Sequence, residues 1–135
     1  YAASLDLPLA FVEKRRVGNG EQREALSLIG SVEGKDVIIV DDLVDTAGSI
    51  RQAVQLVKSQ GAKDVYIAFT HPVLSDPAIE RLSQLPIKEI VTTDTIPIAP
   101  ENMLPNITVL SVAELLGEVI VRSHEGRSVG ELFNE

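Results

Sequence analysis

The sequence has no cysteine, no surplus of basic residues and no long apolar run. Without cysteine there are no disulfides and no thiolate zinc site, which agrees with a cytoplasmic setting. Twelve Lys and Arg against twenty Asp and Glu leave a formal charge of −8. That balance argues against a nucleic-acid surface, because a phosphate backbone needs a basic stripe. No stretch approaches the roughly 18 apolar residues of a membrane span. Internal repeats and low-complexity segments are also absent. What remains is ordinary: 135 residues, 44% hydrophobic and 24% charged, one domain's worth of chain with enough apolar surface for a core. The chain opens at Tyr1 rather than Met and is expected to be a piece of a longer protein.

The most informative stretch runs from Val37 to Ile50. Val37-Ile38-Ile39-Val40 reads as a strand buried on both faces. Asp41 and Asp42 follow at its expected end, and Asp45-Thr46-Ala47-Gly48-Ser49 forms a small-residue turn before a helical pattern from Ile50. A strand tip, a small loop and a helix N-terminus together let backbone N–H groups converge on an anion. The acidic pair does not favour that anion. Its natural task is to hold sugar hydroxyls, directly or through a divalent cation. A phosphate beside a polyol describes a phosphorylated sugar. Two other readings compete: strand-end acids that serve only the helix dipole, and a phosphoacceptor Asp in a receiver-like domain. The first explains one carboxylate rather than three, and the second leaves the Asp45–Ser49 loop without a role.

The rest of the chain reads as an alternation of strands and helices. Tyr1 to Asp6 suggests a helix end stopped by Pro8, and Leu9 to Val12 a short strand. Glu13-Lys14-Arg15-Arg16-Val17-Gly18-Asn19-Gly20 is expected to be a mobile loop, either a solvated basic loop or a flap that closes over phosphates. Arg23 to Val32 reads as a strand. Ile50, Ala53, Val54 and Val57 form a helical stripe, with Gly61 as its left-handed stop. Val65 to Thr70 is a buried strand, and Ser75-Asp76-Pro77 begins a helix with Ile79, Leu82 and Leu85 inward. Ile87 to Val91 and Ile107 to Leu110 are further strands. Ser111-Val112-Ala113-Glu114 has the form of a capping box, leading a helix with Val112, Leu115, Leu116, Val119 and Ile120 on one stripe. Gly126 to Glu135 is a polar tail anchored by Leu132 and Phe133. This order predicts right-handed βαβ units and an α/β fold, a doubly wound and mostly parallel sheet flanked by helices. Ligands then bind beyond the carboxyl ends of the strands, where Asp41, Asp42, His71 and Thr92 to Asp94 fall. His71 reads as a ligand-edge residue or a strand-end histidine bonded to the main chain. Thr92-Thr93-Asp94-Thr95 reads as a hydroxyl-rich ligand edge or a turn with local side-chain bonds.

The run from Val37 to Ser49 also resembles the phosphoribosyl-diphosphate (PRPP) motif, in the variant of the ribose-phosphate pyrophosphokinase (PRPP synthetase) family. Lys14-Arg15-Arg16, Pro77-Ala78-Ile79-Glu80-Arg81-Leu82, Thr93-Asp94-Thr95-Ile96-Pro97 and Ser128-Val129-Gly130-Glu131-Leu132-Phe133 resemble family segments in the expected order, so the likeness covers essentially the whole chain. The resemblance implies a phosphoribosyltransferase-type fold. It also implies that residues 1–135 are a partial C-terminal domain, lacking the N-terminal domain and this domain's first strand and pyrophosphate loop. Asp41 and Asp42 would bind the ribose hydroxyls, and Asp45, Thr46, Ala47, Gly48 and Ser49 would cradle the 5-phosphate. Lys14 and Arg16 would stabilise the transferring diphosphate. The implied reaction converts ATP and ribose 5-phosphate to AMP and PRPP, with Mg²⁺ neutralising the triphosphate and no residue of this chain as a metal ligand. The implied assembly is a homo-oligomer of the hexamer-of-dimers type, and the fragment alone is expected to be inactive. The alternatives are a phosphoribosyltransferase that consumes PRPP and a non-catalytic subunit that regulates an active synthetase.

Overall fold

The structure is a computed structural model that describes residues 2–3, 5–17 and 23–133, with residues 14–17 and 23–26 described by their backbone alone. Among the described residues six strands and three α-helices follow one another: β1 (Phe11–Val17), β2 (Arg23–Ile29), β3 (Val37–Val44), α1 (Gly48–Ser59), β4 (Val65–Pro72), α2 (Ala78–Ser83), β5 (Glu89–Thr93), β6 (Ile107–Leu110) and α3 (Ala113–Glu125). β1 and β2 form an antiparallel pair. The other strands form a parallel sheet in the order β3-β4-β5-β6. The chain therefore has the expected α/β fold, a mostly parallel sheet flanked by helices.

β-Branched residues build the centre of that sheet. Ile39 lies beside Ile67, Ile67 beside Ile90, and Ile90 beside Ile107. Ile67 and Ile90 are fully buried. Because strand order runs one way and crossovers are right-handed, α1 and α2 fall on the same face. Ile50, Val54 and Val57 from α1 join Ala78 and Leu82 from α2 in a single core over Ile67, Phe69 and Ile90. Each buried aliphatic side chain contributes about 1.5–3 kcal/mol, so this face holds the sheet together. Gly61 has a φ of 86° and closes α1 as expected.

Three expectations are corrected. β3 is not buried on both faces: it is an edge of the parallel sheet, and Ile38 and Val40 are exposed on the side away from α1 and α2. The segment from Glu13 to Val17 is not loop but part of β1, paired in register with β2. Phe11 pairs directly with Ile29 and Val12 with Leu28 across a ladder of seven residues on each strand, apolar cross-strand pairs that favour the ladder over a coil. The start of the chain, by contrast, carries the bonds of a helix C-terminus as expected: the Leu7 N–H donates to Ala2 O at 2.9 Å and the Asp6 N–H to Ala3 O at 3.4 Å, with Asp6 left-handed at a φ of 51°. Finally, α3 buries none of its residues, and Leu115, Leu116 and Ile120 face solvent because no described element packs on that stripe.

Candidate sugar-phosphate site

The site grows out of the way β3 ends. Val44, Ala47 and Ile50 are buried at successive three-residue steps, while Asp45, Thr46 and Ser49 are exposed between them. The apolar residues pin the turn to the core, and the polar ones are left at the surface. The Leu74 N–H donates to Val44 O at 2.9 Å and closes the strand end. Ala47 is left-handed, with φ 58° and ψ 17°, and is the N-cap of α1. That conformation costs an L-residue about 1–2 kcal/mol, and strain of this kind concentrates at ligand sites. Gly48 begins the helix. A Cβ there would lie 3.6 Å from Arg81 Nη1 and 3.8 Å from Thr46 Oγ1, ordinary contacts, so the unliganded loop has room for alanine.

A cavity of about 140 Å³ opens over this turn, lined by Asp41, Asp45, Thr46, Ala47, Gly48 and Ser49 with Leu43, Val44 and Ile50 beneath. The first turn of α1 holds no acidic residue, so the positive end of a twelve-residue helix faces the cavity uncompensated from within. None of the N–H groups of Thr46, Ala47 and Gly48 donates to a backbone carbonyl among the described residues outside helices and strands. They are the donors an anion would use. Asp41 Oδ1 accepts from the Asp42 N–H at 3.0 Å, and Asp42 Oδ1 accepts from the Leu43 N–H at 2.8 Å. Each carboxylate is thereby oriented and keeps a second oxygen for a ligand.

The structure thus brings Asp41, Asp45, Thr46, Ala47, Gly48 and Ser49 to one cavity. Asp42 is exposed beside it but does not line it, since both acids lie within β3 and successive strand residues point to opposite faces. Lys14 and Arg16 lie in β1, and their side chains fall outside the described residues. Among the described residues no group of three or more His, Asp or Glu side chains is placed to hold a metal.

The remaining strand ends are bonded among themselves and to α3. His71 Nδ1 and Thr95 Oγ1 are 2.9 Å apart. Thr93 Oγ1 and Thr95 Oγ1 donate to Thr70 O at 2.8 Å and 3.1 Å. Asp94 accepts from Ser111 Oγ at 2.6 Å and from the Val112 N–H at 2.8 Å. The Thr92–Thr95 segment is a locally bonded turn, and its Asp94 joins Ser111, whose Oγ accepts from the Ala113 N–H at 3.3 Å, at the start of α3. Arg81 escaped the sequence reading: on α2, its Nη1 donates to Thr46 O at 2.8 Å. Its sequence signals were to be the sole cation of a short helix and to lie in the family-like Pro77–Leu82 segment, neither of which gives it a site role.

A strand-end cavity beside oriented carboxylates lies where ligands bind in parallel α/β sheets. The family model described as "Phosphoribosyl synthetase-associated domain" matches residues 10–134, and the chain belongs to that family. It is 50% identical over 133 residues to "Ribose-phosphate pyrophosphokinase" of Caldanaerobacter subterraneus subsp. tengcongensis, covering 98% of this chain and 42% of that protein. It is 48% identical over 128 residues to "Ribose-phosphate pyrophosphokinase 2, chloroplastic" of Arabidopsis thaliana, covering 95% of this chain and 32% of that one. The crystal structure of phosphoribosylpyrophosphate synthetase from Mycobacterium smegmatis superposes with a TM-score of 0.84 at 44% identity, over 93% of this chain and 40% of that one. The chain therefore spans less than half the length of these relatives.

Proposed function

We propose that the chain is the ribose 5-phosphate-holding part of a ribose-phosphate pyrophosphokinase, a partial phosphoribosyltransferase-like C-terminal domain. The supporting observation is the cavity at the end of β3, where loop N–H groups and the α1 N-terminus lie beside Asp41 and Asp45. In this reading the 5-phosphate rests on Asp45 to Ser49, and the ribose hydroxyls meet Asp41 and Asp42. The anomeric hydroxyl oxygen forms a bond to the β-phosphorus of ATP, the bond from that phosphorus to the α-bridging oxygen breaks, and AMP leaves as the hydroxyl proton is lost. Lys14 and Arg16 stabilise charge on the moving diphosphate, the dominant contribution in phosphoryl-type transfer. ATP enters with Mg²⁺, which supplies charge neutralisation on the phosphates.

The remaining ATP contacts are proposed to come from sequence beyond this chain, and the working assembly to be a homo-oligomer. The test is to supply ATP, ribose 5-phosphate and Mg²⁺ to the chain joined to the rest of a ribose-phosphate pyrophosphokinase. AMP and PRPP appearing in equal amounts supports the proposal. ATP-independent release of pyrophosphate from PRPP and a base identifies a phosphoribosyltransferase instead. Sugar-phosphate binding without either reaction identifies a regulatory subunit.

A further inference from the structure

Arg81 reaches the loop from 35 residues away in sequence, yet its reach is well defined. α2 is fastened by Ala78 and Leu82, whose exposures are 0% and 1%. The guanidinium arrives from this fixed base and donates to Thr46 O. A trans peptide points its C=O and N–H to opposite sides. Capture of the Thr46 carbonyl on the α2 side therefore turns the Ala47 N–H away from α2. Ala47 also lines the 140 Å³ cavity, and its φ of 58° places it where an alanine needs outside support. A second concavity, lined by Gly48, Arg51, Gln52, Gln55 and Arg81, shares Gly48 with the first, and Arg81 lines only this second one. Guanidinium is always charged and strongly donating, so it orients the peptide and adds positive potential beside a site crowded by carboxylates.

We propose that Arg81 is a positioning residue for the phosphate loop: through the Thr46 carbonyl it holds the Thr46–Ala47 peptide with its N–H presented to the cavity, and so sets the affinity for a sugar phosphate it does not touch. The ligand part of this inference rests on the reading of the loop as the 5-phosphate site. The test compares the wild-type chain with Arg81→Met and Arg81→Lys, using ribose 5-phosphate in calorimetry and following the Thr46 carbonyl carbon and the Ala47 amide by NMR.

Arg81→Met should weaken ribose 5-phosphate binding at least tenfold, and Arg81→Lys should recover part of that loss by keeping charge and a donor. In the wild type the Ala47 amide proton should move downfield when ligand is added. In Arg81→Met that movement should vanish, and the Thr46 carbonyl resonance should already differ without ligand. Binding within twofold of wild type, with an unchanged Ala47 response, overturns the proposal. If the wild type binds no ribose 5-phosphate, the phosphate-site reading falls and takes the ligand part with it. The Thr46 carbonyl resonance then still decides whether the brace exists. Should Arg81→Met fail to fold, Arg81→Lys carries the comparison, and wild-type affinity with wild-type Thr46 and Ala47 resonances in it overturns the proposal.

Discussion

Asp94, at the end of β5, accepts a 2.6 Å hydrogen bond from the hydroxyl of Ser111, at the start of α3. The bond joins the carboxyl end of an interior strand to a helix that buries none of its own side chains. With the added donation from the Val112 N–H, it takes the place of apolar packing at that junction. α3 in turn holds the tail: Arg122 Nη1 donates to Ser128 O at 2.9 Å and to Glu131 Oε2 at 3.1 Å. Of the expected apolar anchor, Leu132 is half-buried while Phe133 is 56% exposed.

A pH dependence follows from that carboxylate. The Ser111 hydroxyl first, and then the Val112 N–H, hold the Asp94 pKa below its ordinary 3.8. A depressed folded-state pKa stabilises above the unfolded value, and the contribution is lost as pH falls through the folded one. The melting temperature of Asp94→Ala should therefore lie below wild type at pH 7, and the gap should close below about pH 3.8. A gap that persists at pH 2 would assign the difference to something other than the carboxylate.

Ala47 gives a second prediction, on stability. Ala47→Gly relieves about 1 kcal/mol of left-handed strain and loses a buried methyl of about 0.8 kcal/mol, so it should be nearly neutral in urea melts. Ala47→Val adds a β-branched side chain at positive φ in a buried position and should destabilise by about 2–4 kcal/mol. Equal stability of the two variants would contradict the left-handed turn.

Much of this was legible in the sequence, and the parts that were not share a cause. Local periodicity was enough for α1, because Ile50, Ala53, Val54 and Val57 find the sheet they were patterned for. The same reasoning misjudged β3 and α3, since the stripe of Leu115, Leu116 and Ile120 and the outer face of Ile38 and Val40 have no described partner. Periodicity records what a surface is suited to bury, not what is present to cover it. The Asp45–Ser49 loop was visible because small residues, a glycine and acids sit next to one another. Arg81 was not, because its link to Thr46 depends on how α2 docks against α1. Glu13 to Val17 misled because charge and glycine outweighed the pairing available in β2.

The loop's chemistry supplies a third prediction. Asp45→Ala and Gly48→Val should each weaken ribose 5-phosphate binding by roughly tenfold, about 1.4 kcal/mol. Gly48→Ala should leave the melting temperature of the unliganded chain close to wild type, since its Cβ meets only ordinary contacts. Unchanged affinity in both of the first two variants would remove the phosphate-loop argument.

Lys14 tests the catalytic assignment. In the chain joined to the rest of a ribose-phosphate pyrophosphokinase, Lys14→Ala should lower kcat by two orders of magnitude or so while the ribose 5-phosphate KM moves little. Proportionate losses in both would place Lys14 in ground-state binding rather than on the transferring diphosphate.

The central claim is that the turn after β3 receives the phosphate of a phosphorylated ribose. The most direct measurement is calorimetric titration of this chain with ribose 5-phosphate and Mg²⁺, with ribose as the phosphate-free control. Saturable binding of ribose 5-phosphate that ribose does not reproduce is the predicted result. A folded chain that binds neither, or binds both alike, would contradict it.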